Sequence, residues 1–232
     1  MTDHWPLFGL RLTTPSLELR LPRLEDFDGL FAAVARGVHD ADFMPFSFPW
    51  STAPEPARSR SALQYHWRQW ASWSPDDWTL DLIVLRDGVP VGAQDLMGKE
   101  FPVRREVSSG SWLERAQQGQ GLGTEMRAAI LHLAFAGLGA RWAVSSAFTD
   151  NPASLAVSRR VGYAEDGTEV FAGHDGRART LRRVRMDRDA WERHRTVPVE
   201  IHGLPPCLDL FAPASDPDAD HREARDASAS GA

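Results

Sequence analysis

The sequence predicts a mixed α/β domain (an α+β mixed sheet), and three observations carry that expectation. Runs that alternate apolar and polar residues, as strands do, interleave with runs whose apolar residues recur at helical spacing. A glycine-rich bend joins one of those strands to the clearest helix. The 232 residues fit one domain with appendages, and 42% hydrophobic with 25% charged residues is the composition of a chain that folds.

In chain order, residues 10–14 (LRLTT) and 17–21 (LELRL) read as two short strands around the Thr14-Pro15-Ser16 turn. Leu24, Phe27, Leu30, Phe31 and Val34 then share one helical face, and Gly37 ends that helix. Residues 38–56 carry Pro45, Pro49, Pro54 and Pro56 among Phe43, Met44, Phe46, Phe48 and Trp50. That segment is too broken for regular structure and too apolar to float in solvent, so it is expected to fold back over a cleft. Residues 58–73 read as a helix with Leu63, Trp67 and Trp70 on one face. A strand over 78–86, hairpin chemistry at Asp87-Gly88 and a return strand starting at 89–96 follow.

Residues 104–113 (RREVSSGSWL) read as a further strand leading into the bend at 115–126 (RAQQGQGLGTEM). Residues 121–136 are the clearest helix, because Met126, Ile130, Leu133 and Ala134 recur at helical spacing, with Gly137 near its end. A short strand at 142–145, a helix over 151–160, strands near 168–172 and 181–186 across the His174-Asp-Gly turn, and a short helix over 187–195 complete the pattern. Residues 197–211 suit a strand added to a sheet edge, that of this chain or that of a partner in a homodimer. The expected organisation is a catalytic domain over 1–195, a C-terminal extension over 196–212 and a disordered tail over 213–232, which is rich in Ala, Ser and Asp with almost no apolar bulk.

Charge and cysteine content exclude several functions. Acidic residues outnumber basic ones, 32 to 26, and no Lys/Arg block is present to neutralise a row of phosphates, so nucleic acid is not an expected partner. No apolar run approaches the roughly 20 residues that span a bilayer, and the start lacks a basic segment followed by an apolar one. The expected address is the cytoplasm, without a membrane partner. Cys207 is the single cysteine, which excludes an internal disulfide and a Cys-rich zinc site. The histidines show no ligand spacing, so no metal is expected. The tryptophans at 50, 67, 70, 73 and 78 read as core and pocket lining.

The bend is the strongest chemical signal. Backbone amides of a glycine-rich turn, together with the positive end of a helix, suit a phosphate. The dinucleotide fingerprint G-x-G-x-x-G fails, because its last position holds Thr124 or Met126, and the bend has no lysine for a Walker loop. Gln118-Gly-Gln-Gly121-Leu-Gly123 instead resembles the Q/R-x-x-G-x-G/A signature of the GCN5-related N-acetyltransferases (GNATs). Gly110-Ser-Trp-Leu113 sits where that family carries the strand beside the pantetheine arm. Asp150-Asn-Pro-Ala-Ser154, followed by Val161-Gly-Tyr163, resembles the family's N-x-x-S and G-F/Y elements. The resemblance spans residues 8–190. It implies the GNAT fold, a central, mostly antiparallel sheet flanked by helices with splayed fourth and fifth strands. Within the family the chain most resembles the RimJ/RimL-like branch. His4-Trp-Pro-Leu-Phe8, Met44-Pro-Phe46 and Gly123-Thr-Glu-Met-Arg-Ala128 look like an actinobacterial subgroup for which succinyl-CoA has been considered as donor.

The resemblance implies an acyl-CoA-dependent N-acyltransferase that moves an acetyl group from acetyl-CoA, or a succinyl group from succinyl-CoA, to a primary amine by direct attack. The amine belongs to a protein N-terminus, a peptide or a small molecule. A module that binds acyl-CoA without chemistry is the alternative. Residues implied to hold the coenzyme are Trp112, Leu113, Glu114, Gln118, Gly119, Gln120, Gly121, Leu122, Gly123, Thr124, Asn151 and Ser154. Backbone N–H groups near 112–114 would polarise the thioester carbonyl. Ser154 would protonate or hydrogen-bond the departing thiolate, although Ser154 and Asn151 also suit the cap of a helix. The family's base position aligns with Gly173, and Glu169 lies four residues earlier. His39, before the apolar loop, is the candidate base. Cys207 has no evident base beside it and reads as structural.

Overall fold

A computed structural model describes residues 3–211. The stretch expected to be a disordered tail, 213–232, lies outside the described residues. The strands are β1 (Arg11–Thr13), β2 (Glu18–Arg20), β3 (Asp77–Arg86), β4 (Val89–Lys99), β5 (Glu106–Ser108), β6 (Ser111–Leu113), β7 (Trp142–Phe148), β8 (Ala164–Ala172), β9 (Ala178–Asp187) and β10 (Glu200–His202). The helices are α1 (Asp26–Ala35), α2 (Ala57–Ala71), α3 (Phe101–Arg104), α4 (Leu122–His132), α5 (Pro152–Arg160), α6 (Arg188–His194) and α7 (Leu208–Phe211). One mixed sheet runs β10-β1-β2-β3-β4-β5-β7-β9-β8, with β6 also paired to β4. Every pairing is antiparallel except β5 with β7.

Two apolar layers sandwich the sheet, and the period of two along β3 builds both. Leu80, Leu82 and Val84 join the large core with Met126 and Ile130 of α4, whereas Ile83 and Leu85 meet Phe27 and Leu30 of α1. Each such fully buried side chain stabilises the fold by about 1.5–3 kcal/mol. The β3–β4 hairpin turns at Asp87 (φ 52°) and Gly88 (φ 77°), the left-handed pair that the Asp-Gly dipeptide supplies.

Four expectations need correction. The strand read over 104–113 is two short strands, because Ser109 and Gly110 interrupt it and the Asp95 amide bonds the Gly110 carbonyl at 2.8 Å. The expected face of α2 is rotated: His66 is buried beneath the helix at 5% exposure and Trp67 is 47% exposed. His66 is drawn in by the buried Asp81 carboxyl, 2.5 Å from its Nδ1. Leu24, expected on the face of α1, precedes that helix and is 71% exposed. The clearest helix ends in a π-helical turn, Leu133–Gly137.

The C-terminal segment is tied to the rest of the chain. Strand β10 pairs with β1 of its own sheet, so of the two edges expected for it the structure uses the chain's own. Gly137 makes room for this, since a Cβ there would lie 2.8 Å from Leu204 and 3.3 Å from Ile201. Phe211 is fully buried against Trp73 and Trp78, and the Trp73 indole N–H donates to the Leu210 carbonyl at 2.8 Å. Among the described residues no helix is long and apolar enough to cross a membrane.

Candidate active site

The glycine bend faces solvent ahead of α4. Gly119 (φ 75°) and Gly121 (φ 86°) are both left-handed, and a Cβ at either would meet nothing within 4 Å. Gly121 occupies the N-cap without a side chain to cap the helix, and the Thr124 and Glu125 amides return to its carbonyl at 2.9 and 3.1 Å. The five preceding amides, 119–123, have no acceptor among the described residues. Consecutive unsatisfied N–H groups at the positive end of a helix form an anion cradle. The acidic residue of the first turn points elsewhere: Glu125 accepts from the Thr14 hydroxyl (2.5 Å) and the Ser16 amide (2.7 Å). Arg86, at the end of β3, brings a cation to the rim by donating to Gln117 and Gln120 at 2.8 and 2.9 Å.

The signature glutamine holds the frame. Gln118 Nε2 donates to the carbonyls of Val38 and Leu113, both at 2.9 Å, and so ties the bend to the end of β6 and to the loop after α1. Leu122 is buried in the core, and a Cβ on Gly123 would lie 3.5 Å from Val157 of α5 and 3.9 Å from Leu113. The start of α4 therefore sits where β6 and α5 converge. The Thr124 hydroxyl is buried without a partner among the described residues.

A gap opens beside β6. Strands β5 and β7 pair in parallel through Ser108 and Val144; beyond the break at Ser109 and Gly110, β6 pairs with β4 alone. A splay of this kind, here between β6 and β7, is what the sequence resemblance implied for the fourth and fifth strands. An antiparallel ladder directs successive residues' polar groups to alternate sides. The Glu114 amide bonds Val91 (2.8 Å) and the Gly110 carbonyl accepts from Asp95, so Trp112 shares the β4 side and the amides of Ser111 and Leu113 face the gap. Of the three amides expected to polarise a carbonyl, only that of Leu113 is aimed there. Glu114 serves the frame as well: its carboxylate grips Arg36 in a bidentate pair at 2.6 and 2.7 Å, which holds it below the usual carboxylate range.

On the α4 side, Arg127 spans the gap with Nη1 and Nη2 each 3.3 Å from the hydroxyls of Ser145 and Ser111. It is 4% exposed, with no carboxylate in ion-pair reach among the described residues. Tyr163 is buried beside it, and burial raises its phenol above the ordinary value, so it packs and stays protonated.

Helix α5 opens at the far wall. The Asn151 side-chain oxygen accepts from the Ser154 amide at 3.1 Å, so Asn151 is the N-cap and the Ser154 hydroxyl takes no part in the capping. On the opposite face, the loop after α1 lies over Trp112 through Trp50, 5.6 Å between ring centres. His39 anchors that loop: Nδ1 lies 2.7 Å from the Asp40 carbonyl and Nε2 2.7 Å from the Ser51 hydroxyl. A carbonyl only accepts, so Nδ1 carries the proton and Nε2 is engaged by Ser51. The expected base is thus already bonded at both nitrogens. Glu169 and Gly173 lie on and just after the exposed strand β8. Cys207 is fully buried, with its thiol pushed up to about 11 by burial.

The sequence reading missed one group beside the gap. Asp81 and Asp95 face each other across β3 and β4, on the same face as Ile83 and Trp112. Asp95 reaches the Asp81 carboxyl and the Tyr65 hydroxyl, and its Oδ2 would lie 3.6 Å from a Cβ on Gly110, at the mouth of the gap. The signal was present: a lone acid interrupts each of the apolar runs WTLDLIVL and VGAQDLM.

A family model described as an acetyltransferase (GNAT) domain matches residues 16–164. The chain also resembles solved structures. Mycobacterium smegmatis RimJ in complex with CoA-disulfide aligns with a TM-score of 0.64 at 20% identity, over 79% of this chain and 90% of that one. RimL, the ribosomal L7/L12 alpha-N-protein acetyltransferase in complex with coenzyme A, gives 0.59 at 19% identity, over 76% and 97%. The microcin C7 self-immunity acetyltransferase MccE, in complex with acetyl-CoA and AMP, gives 0.60 at 16% identity, over 75% and 93%. At these identities the likeness is one of fold.

Proposed function

The chain belongs to the GNAT acetyltransferase family and is an N-acyltransferase, and on that premise we propose that it moves an acetyl group from acetyl-CoA to the primary amine of a protein N-terminus, a peptide or a small molecule. One observation carries the reading of the donor site: the five unpartnered amides of residues 119–123 at the start of α4. They fit a diphosphate, since the left-handed glycines leave open space where side chains would block its approach.

In this proposal Gly119, Gln120, Gly121, Leu122 and Gly123 bind through their amides, Thr124 through its hydroxyl, and Gln118 and Glu114 hold the frame. The pantetheine arm lies in the gap as an added strand along Ser111 and Leu113, with Trp112 as the wall on the acceptor side. Asn151 offers its remaining N–H groups to the arm. The acyl-CoA supplies an activated carbonyl and a thiolate leaving group. The Leu113 amide polarises that carbonyl, and the Ser154 hydroxyl donates to the leaving sulfur. His39 keeps the aromatic loop over the cleft. A cytoplasmic address belongs to the same proposal and agrees with the single free, buried Cys207.

Succinyl-CoA is the second donor, and Arg127 favours it. A buried guanidinium at the gap, lacking a carboxylate, suits the free carboxylate of a dicarboxylic acyl chain. Thiol release from acetyl-CoA and succinyl-CoA with a panel of amines tests the function. Release that depends on the amine supports transfer, and none with either donor leaves only the binding module. Ser154→Ala is expected to lower kcat by about 100-fold with little change in donor KM. It should not lower Tm, because the cap uses the Asn151 side chain and the Ser154 amide.

A further inference from the structure

Three polar side chains stand behind Asp95 on the acceptor side of the sheet. Asp81 is sealed at 2% exposure, and the His66 ring, 6% exposed, places Nδ1 2.5 Å from its Oδ2. Neither atom makes a well-aligned hydrogen bond at that approach. Tyr65, the neighbour of His66 on α2 and 37% exposed as a residue, turns its hydroxyl toward Asp95, and desolvation together with the two carboxyls holds that phenol above its ordinary value. Asp95 is half-buried and opens beside Gly110, between β5, which pairs with β7, and β6, which does not. No group of three or more His, Cys, Asp or Glu among the described residues has the arrangement of a metal site.

We propose that Asp95 is the catalytic base that takes the proton of the acceptor amine, with Asp81 and His66 as its positioning residues. This rests on the N-acyltransferase reading. The placement carries it: Asp95 is the carboxyl at the mouth of the gap on the Trp112 face, whereas the donor cradle and α5 lie at the other end and on the other side. Transfer forms a C–N bond and breaks the C–S bond; the amine proton passes to the Asp95 carboxylate, and the thiolate takes one proton, so the net movement is one proton from nitrogen to sulfur. Burial and the facing Asp81 carboxyl hold Asp95 well above the usual carboxylate range, while the Tyr65 hydroxyl acts in the opposite direction. Such a group is a weak acid matched to an amine nucleophile. The titratable groups that act on it are Asp81 from β3 and Tyr65 from α2, with His66 beside Asp81; Gly110, opposite Asp95 just before β6, contributes none.

The test uses acetyl-CoA or succinyl-CoA, whichever releases thiol, with a lysine-free peptide bearing a free N-terminus, across pH. Asp95→Asn should lower kcat/KM by about 100-fold or more and remove the acidic limb of the profile, with calorimetric affinity for coenzyme A unchanged. Asp95→Glu should restore part of the rate. His66→Gln should move the midpoint of the limb, whereas a merely structural role would scale the rate equally at every pH. An Asp95→Asn enzyme with wild-type rate and limb overturns the proposal while leaving acyl transfer intact. Absence of thiol release by the wild type sinks the acyltransferase reading instead. Carboxyl ¹³C titration of the wild-type chain checks the environment of Asp95, which should titrate above the ordinary carboxylate range, and titration within that range would contradict the burial against Asp81 on which the assignment draws.

Discussion

Gly121→Asp should weaken binding of coenzyme A by about 100-fold at a modest cost in stability, because a side chain at φ 86° is strained even in open space. Aspartate tolerates the left-handed conformation that Gly121 adopts (φ 86°) better than most residues. At the N-cap of α4 its carboxylate would accept from the amides of the first turn and interact favourably with the helix dipole. Those amides are the ones assigned to the diphosphate. The substitution therefore fills the cradle with a negative charge and adds like-charge repulsion to the lost hydrogen bonds. Each hydrogen bond to a charged group is worth about 1.5–3 kcal/mol, so losing one or two weakens binding by about 100-fold. Gly121→Asn keeps the conformation without the charge and should bind within a few-fold of wild type. Calorimetry with coenzyme A, paired with thermal unfolding, separates the two effects. Equal affinity for the Asp and Asn variants would contradict the assignment.

His66→Leu should destabilise the fold by about 1–3 kcal/mol, because it leaves the Asp81 carboxyl buried at 2% exposure without its polar neighbour. Replacing both partners, as His66→Leu with Asp81→Leu, should cost less than the single change, since no buried polar group is left unpartnered. Urea unfolding measures both, and a single-variant loss below about 1 kcal/mol would show that the contact contributes little to the fold. Asp95 behaves in the opposite sense. Its folded pKa lies above the ordinary carboxyl value, so the native state binds more protons than the unfolded state in that window, and stability falls as pH rises through it. Asp95→Asn does not titrate. Near pH 4 and below it should match wild type, and it should gain on wild type as pH rises through the window, by at most about 1.4 kcal/mol per pH unit. A residue that costs stability when ionised and stands at the cleft is what a functional carboxyl looks like.

What could be read from sequence was local. The Asp87-Gly88 turn, the helix after the glycine bend and the Asn151 cap each rest on residues within a few positions of one another, and each is found in the structure. The break at Ser109 and Gly110 was not legible, because it follows from the parallel pairing of β5 with β7, a contact between distant segments. The base candidate was hidden for the same reason. His66, Asp81 and Asp95 come from a helix and two strands, and the tryptophans of α2 suggested a different inward face. Gln118 lay within the recognised motif and Glu114 just before it, yet their roles as frame residues depend on Arg36 and Val38, which the motif does not contain.

Amide chemical-shift mapping during titration of the ¹⁵N-labelled chain with coenzyme A tests the cradle most directly. The largest shifts should fall on Gly119, Gln120, Gly121, Leu122 and Gly123, with smaller ones at Ser111 and Leu113. Saturable binding that leaves those five amides unmoved would contradict the account.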